Sequence, residues 1–202
     1  MDQNNIINEN QILNTIEKIF IETKTNNDQT NLNSQLLTII KDLIVKQGYI
    51  NRKSNCLNPF NKFGRKCFSQ TDEDGITYEI IKRLGIKQGS YAEFGVGDGM
   101  ENNTLLLASL GWKGFWVGGE NIIFDYSSND KFNYTKEWIT LDNITDICKK
   151  NMEKLSIENL DVISLDLDGN DYHFCEDLLK KNLNPKLFIV EYNSKFFPPI
   201  EF

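Results

Sequence analysis

The stretch Asp166-Leu-Asp168-Gly-Asn-Asp171-Tyr-His173 gathers three carboxylates and the only histidine of the chain. Asp166 and Asp168 alternate with apolar neighbours on a run, Val162 to Leu167, that reads as a buried strand. Ionised carboxylates are not left in a dry core without partners, so both are expected at the strand's carboxyl end, facing a crevice. There a carboxylate can orient or deprotonate a hydroxyl, provided it lies within hydrogen-bond reach of the proton. Asp168 is the candidate catalytic base, with Asp171 and His173 as alternates. Asp171 has a competing role as a helix cap, and His173 as a satisfied surface or core side chain. A calcium loop fails on spacing, because Gly169 is fourth instead of sixth and Asp177 stands where the twelfth-position Glu belongs. No metal site is therefore predicted, although the density of carboxylates leaves a divalent cation in the crevice as an option.

The second constellation is Tyr91-Ala-Glu93-Phe-Gly95-Val-Gly97-Asp-Gly99, a short apolar strand running into a glycine turn. Glycines there let the backbone turn tightly and approach a ligand, and a following helix offers its free N–H groups. A dinucleotide fingerprint needs a third glycine where this chain has Met100. Glu191 and Asn193, at the end of the last apolar run, are expected to shape a substrate pocket.

The elements that would position these residues alternate. A helix follows the acidic turn Asp72-Glu73-Asp74, capped by Ser69 or Thr71, and ends at Gly85. Strands are expected at 91–94, 115–117, near 138–141, at 162–167 and at 187–192, with helices at about 103–110, 144–155 and 171–181. Alternation of this kind predicts an α/β domain with a mostly parallel sheet covered by helices on both faces.

Composition sets the frame: 202 residues, 40% hydrophobic and 25% charged, suit one domain with a sizeable core and a small appendage. Net charge is −7, split as +2 over residues 1–90 and −9 over 91–202. No apolar run reaches the roughly 18 residues of a membrane span. The start lacks the basic and apolar blocks of a signal peptide, and irregularly spaced Cys56, Cys67, Cys148 and Cys175 read as reduced thiols, so a cytoplasmic protein is expected. Residues 1–66 read as an extension, with amphipathic helical patterns at 12–20 and 36–44 as a cap or oligomer contact. Its basic, aromatic part, with Lys46, Arg52, Lys53, Lys62, Arg65 and Lys66, reads as a linker against an acidic domain, or as a phosphate-binding surface without any nucleic-acid motif.

An acidic residue followed by Gly95-x-Gly97-x-Gly99 resembles the first motif of class I S-adenosylmethionine-dependent methyltransferases. Together with Ser69-Gln-Thr-Asp-Glu-Asp-Gly75, Gly97-Asp-Gly-Met-Glu-Asn-Asn-Thr104, Gly111-Trp-Lys-Gly114, Leu165-Asp-Leu-Asp-Gly-Asn-Asp-Tyr172 and Val190-Glu-Tyr-Asn193, it resembles their FkbM-like branch over about residues 67–196. The resemblance implies a Rossmann-like fold and methyl transfer from S-adenosylmethionine to a hydroxyl of a sugar or other metabolite. It further implies that Gly95, Gly97 and Gly99 border the amino-acid part of the cofactor and that Glu93 helps to hold its ammonium, with Asp166 also on the cofactor. Two departures stand out. Gly118 occupies the place of the ribose-binding acid, for which Glu120 could substitute, and the closing antiparallel strand pair of that fold is missing from 67–202. An exposed strand edge would invite a homo-oligomer. A non-catalytic interaction or cofactor-sensing module on the same fold is the alternative.

Overall fold

A computed structural model of the chain describes residues 58–192, together with Leu36, Ile39, Ile40 and Leu43, which are helical. The chain divides into two compact units, Met1–Asn55 and Cys56–Phe202. The expected helix over 12–20, the Cys56 thiol and Asn193 lie outside the described residues. Among the described residues, no helix is long and apolar enough to cross a membrane.

The larger unit opens with a 3-10 turn, Asn61–Phe63, and helix α1, Glu73–Arg83. Strand β1 (Ser90–Phe94), helix α2 (Leu105–Ser109), strands β2 (Lys113–Gly118) and β3 (Phe132–Lys136), helix α3 (Ile144–Lys154), strand β4 (Val162–Leu165), helix α4 (Asp171–Lys180) and strand β5 (Leu187–Val190) follow. The strands form one all-parallel sheet in the order β3-β2-β1-β4-β5. That arrangement is compatible with a Rossmann-like fold. The order reverses between β1 and β4, so the carboxyl ends of these strands open the crevice in which such sheets hold ligands.

Strand alternation distributes the core over two faces. Ala92, Phe94, Phe115, Val117, Ile163 and Leu165 pack with Ile144, Ile147 and Cys148 of α3 and Phe174 and Leu178 of α4. Tyr91, Trp116, Phe132, Tyr134 and Val162 pack with Ile81 of α1 and Leu107 of α2. Helices therefore cover both faces, and every residue of β1 and β4 is buried.

Three expectations change. The third strand is Phe132–Lys136 and not 138–141, because Asn143 closes a turn there: its carboxamide accepts from Thr140 N at 2.8 Å and donates to Trp138 O at 2.9 Å. The fourth strand stops at Leu165, so Asp166 and Asp168 sit in the loop beyond it. At the start of α1 neither Ser69 nor Thr71 is the cap residue; Asp72 is, without a side-chain capping bond. Ser69 and Asp74 instead bind reciprocally. Asp74 Oδ2 accepts from the backbone N–H groups of Cys67, Phe68 and Ser69 at 2.6–2.8 Å, and Ser69 Oγ accepts from Asp74 N at 3.3 Å. One buried carboxylate thus fixes the run 67–69 onto the helix.

Candidate functional site

Two cavities open at the carboxyl ends of the strands, and Gly97 lines both. The first, about 440 Å³, is lined by the Gly95–Gly97 turn, the Gly118–Glu120 loop, Glu137–Ile139, Asp166–Asp168, Asn170 and Phe174. The second, about 530 Å³, is lined by Lys66–Phe68 and by Gly97–Glu101. A Cβ placed on Gly97 would meet nothing within 4 Å, so this glycine leaves space open where the cavities adjoin. Gly95 and Gly118 are different. Gly95 has φ +90°, and a Cβ on either would collide with a backbone carbonyl, that of Asp166 or of Val96. Those two glycines let the loops after β1, β2 and β4 approach one another.

The first cavity has a consistent charge. Glu120, Glu137, Asp166 and Asp168 line it, and among its lining residues there is no Lys, Arg or His. Asp166 has its proton affinity raised, first by desolvation and then by Asp171 and Asp168, against a hydrogen bond with Glu191 that opposes the rise. Glu191 is raised by desolvation, by Asp166, Asp171 and Asp168, and by that same hydrogen bond. Asp168, on the same wall, has a φ of +56°, in the left-handed region. Trp138 is 81% exposed although it lines the cavity beside Gly119. Tyr134 Oη reaches Gly118 O at 3.1 Å and Glu120 O at 2.5 Å, which fixes the loop that carries Glu120.

The remaining predicted site residues are placed elsewhere. Glu93 is 3% exposed and turned towards α2, where Oε1 accepts from Asn103 N at 2.9 Å and Oε2 from Thr104 N at 2.9 Å and Thr104 Oγ1 at 2.5 Å. Thr104 Oγ1 in turn accepts from Trp116 Nε1 at 2.8 Å. Burial pushes the Glu93 carboxyl up, against these hydrogen bonds. Its carboxylate clasps the glycine loop to the sheet and lines neither cavity. Asp171 is buried and its oxygens accept from Leu167 N at 2.8 Å and Gly169 N at 3.1 Å, so it staples the loop between β4 and α4. His173 is exposed and stacks edge-on with Tyr172 at 5.5 Å. Gly99, at φ +91°, lines the second cavity and packs near Phe124. The structure therefore brings together Gly95, Gly97, Glu120, Asp166 and Asp168 on one wall, with Glu191 near enough to Asp166 to raise its own proton affinity but not lining the cavity. Trp138, Glu137, Asn170 and Phe174 were missed. The period-2 run Phe132-Asn-Tyr134-Thr would have located β3 and with it the loop that carries Trp138.

Among the described residues no group of three His, Cys, Asp or Glu side chains could hold a metal ion. Of the thiols, Cys148 is buried with its pKa pushed up to about 12, Cys175 is raised by burial, and Cys67 is exposed. The described part of the basic, aromatic stretch is engaged within the unit: the Arg83 guanidinium lies 4.8 Å and 5.2 Å from the Phe60 and Phe63 ring centres, and Lys66 pairs with Glu101. Comparison with known proteins returned no matching family model, no matching curated protein and no matching solved structure.

Proposed function

We propose that the crevice binds S-adenosylmethionine and that the protein transfers its methyl group to a hydroxyl of a small, neutral or polyhydroxylated acceptor. The observation that carries this reading is the lining of the first cavity: four carboxylates, one exposed tryptophan and no basic side chain. A pyrophosphate would be repelled there, which argues against a dinucleotide or nucleoside triphosphate, whereas a cation is attracted by carboxylates and by an aromatic face. An open Gly97, with no Cβ to fill the approach, fits a ligand laid across the turn.

S-Adenosylmethionine, when bound, supplies an electrophilic sulfonium methyl. Glu120, which lines the cavity, would accept from ribose hydroxyls in lieu of an acid at 118, where any side chain would meet the Val96 carbonyl. Trp138 offers a stacking face for the purine. Asp168, on the cavity wall, takes the acceptor's hydroxyl proton. Orientation of the two reactants supplies most of the acceleration in such a displacement. The class I, FkbM-like assignment belongs to this proposal; the described residues carry five parallel strands and no closing antiparallel pair.

A second reading is favoured by one observation. Of the three candidate bases only Asp168 lines the crevice, since Asp171 is committed to the loop and His173 lies outside. The same cavity would then serve a binding module without turnover. Incubation with methyl-labelled S-adenosylmethionine and a panel of hydroxylated sugars and lipids separates the two. Label on an acceptor, lost in Asp168→Asn, supports the transferase; tight cofactor binding without label on any acceptor supports the module.

A further inference from the structure

The two cavities that share Gly97 differ in one respect: among their described lining residues Lys66 is the single base. Every other charged side chain on either wall is a carboxylate, namely Asp98, Glu101, Glu120, Glu137, Asp166 and Asp168. A ligand spanning both cavities that carries an anionic group finds one attractive position for it, at the Lys66 ammonium. That ammonium is not buried in a fixed pair. It is 39% exposed, 3.3 Å from Glu101 Oε1 and 3.0 Å from the Gln70 carbonyl. Glu101 itself is 54% exposed, so the pair is the weak, solvent-screened kind that a better anion can displace. The backbone beneath is fixed, because Asp74 anchors the N–H groups of Cys67, Phe68 and Ser69. A flexible side chain on a rigid base beside an open glycine can exchange partners without moving the fold.

We propose that Lys66 recognises the α-carboxylate of an amino-acid group laid over Gly97, leaving Glu101 when the ligand binds, while Asp98 faces the α-ammonium. This inference rests on the S-adenosylmethionine reading and assigns the ends of that ligand: the nucleoside in the Trp138 cavity, the zwitterion in the Lys66 cavity. Lys66 thereby sets specificity for a ligand that carries an amino acid over a bare nucleoside thioether. Glu101 acts as a competitor for Lys66 and not as a support.

Calorimetric titration with S-adenosylhomocysteine and with 5′-methylthioadenosine, which lacks the amino-acid group, tests the assignment on the full chain. Lys66→Gln should weaken S-adenosylhomocysteine about tenfold and leave 5′-methylthioadenosine unchanged. Lys66→Arg should retain most of the affinity. Glu101→Gln should tighten S-adenosylhomocysteine about two- to threefold, a gain that a merely structural strap could not give. Equal weakening of both ligands by Lys66→Gln, or weakening by Glu101→Gln, overturns the assignment. A wild-type protein that binds both ligands equally overturns it while leaving the nucleoside site standing. A folded protein that binds neither overturns the underlying function and this inference together.

Discussion

Replacing Thr104 by Val tests whether the buried chain Trp116–Thr104–Glu93 holds the glycine loop in place. The side chain is fully buried and valine nearly matches its volume, so the change removes one hydroxyl and little packing. Two interactions are lost. The hydroxyl no longer donates to Glu93 Oε2, a charge-assisted bond at 2.5 Å worth about 1.5–3 kcal/mol. The Trp116 Nε1–H, which donated to it at 2.8 Å, is stranded in an apolar layer at a cost of about 1–3 kcal/mol. Glu93 keeps the two backbone N–H groups of Asn103 and Thr104, so the carboxylate is not orphaned. The expected destabilisation is about 3–5 kcal/mol, a large share of a typical domain's stability. Thr104→Ser, which keeps the hydroxyl, should lose about 1 kcal/mol for the missing methyl. Urea unfolding followed by tryptophan fluorescence gives both values, with an unchanged slope as the sign that the native state is intact. A loss below about 1 kcal/mol for Thr104→Val would refute the reasoning, since it would mean that the hydroxyl carries neither bond.

Three further outcomes are expected. Gly118→Ala, whose Cβ would collide with the Val96 carbonyl, should lose about 1–3 kcal/mol, while Gly97→Ala, with open space around it, should stay within about 0.5 kcal/mol in the same assay. Trp138→Ala should leave thermal stability unchanged because the ring is 81% exposed, yet should weaken 5′-methylthioadenosine about tenfold in calorimetry if the ring stacks on a base. Raised proton affinities at Asp166 and Glu191 predict that the preference for cationic S-adenosylmethionine over neutral S-adenosylhomocysteine grows as pH rises and these groups ionise, and shrinks as pH falls. The linked stability has the opposite sign. A carboxyl whose folded pKa is raised contributes fully below its unfolded pKa and loses that contribution as pH rises through the folded value, so Glu191→Gln should help the fold more in mild alkali than in mild acid.

Much of the layout was legible from local pattern. Apolar runs marked β1, β2, β4 and β5, the first two of them bounded by glycines, and the acidic turn at the start of α1 and the stops at Gly85 and Gly111 marked helices α1 and α2, because these signals act over a few residues. Alternation points to a parallel sheet, but not to the order β3-β2-β1-β4-β5, which depends on where each crossover packs. The misplaced third strand shows the limit: Trp138 looks like a strand residue, yet the side chain of Asn143, acting across a turn, overrides its propensity. The glycines at 95, 97 and 118 were visible, but not their different duties, which depend on which carbonyl of another loop lies opposite. Carboxylates were the least readable. Glu93, Asp166, Asp168 and Asp171 are chemically alike, and only the tertiary structure separates those aimed into the crevice from those spent on backbone N–H groups.

The measurement that bears most directly on the function is a calorimetric titration of the folded chain with S-adenosylmethionine and, separately, with nicotinamide adenine dinucleotide, repeated on Gly97→Arg. The acidic, base-free cavity predicts binding of the sulfonium cofactor, no binding of the dinucleotide, and loss of cofactor binding when an arginine fills the open space at Gly97. Binding of the dinucleotide, or cofactor binding indifferent to that arginine, would contradict it.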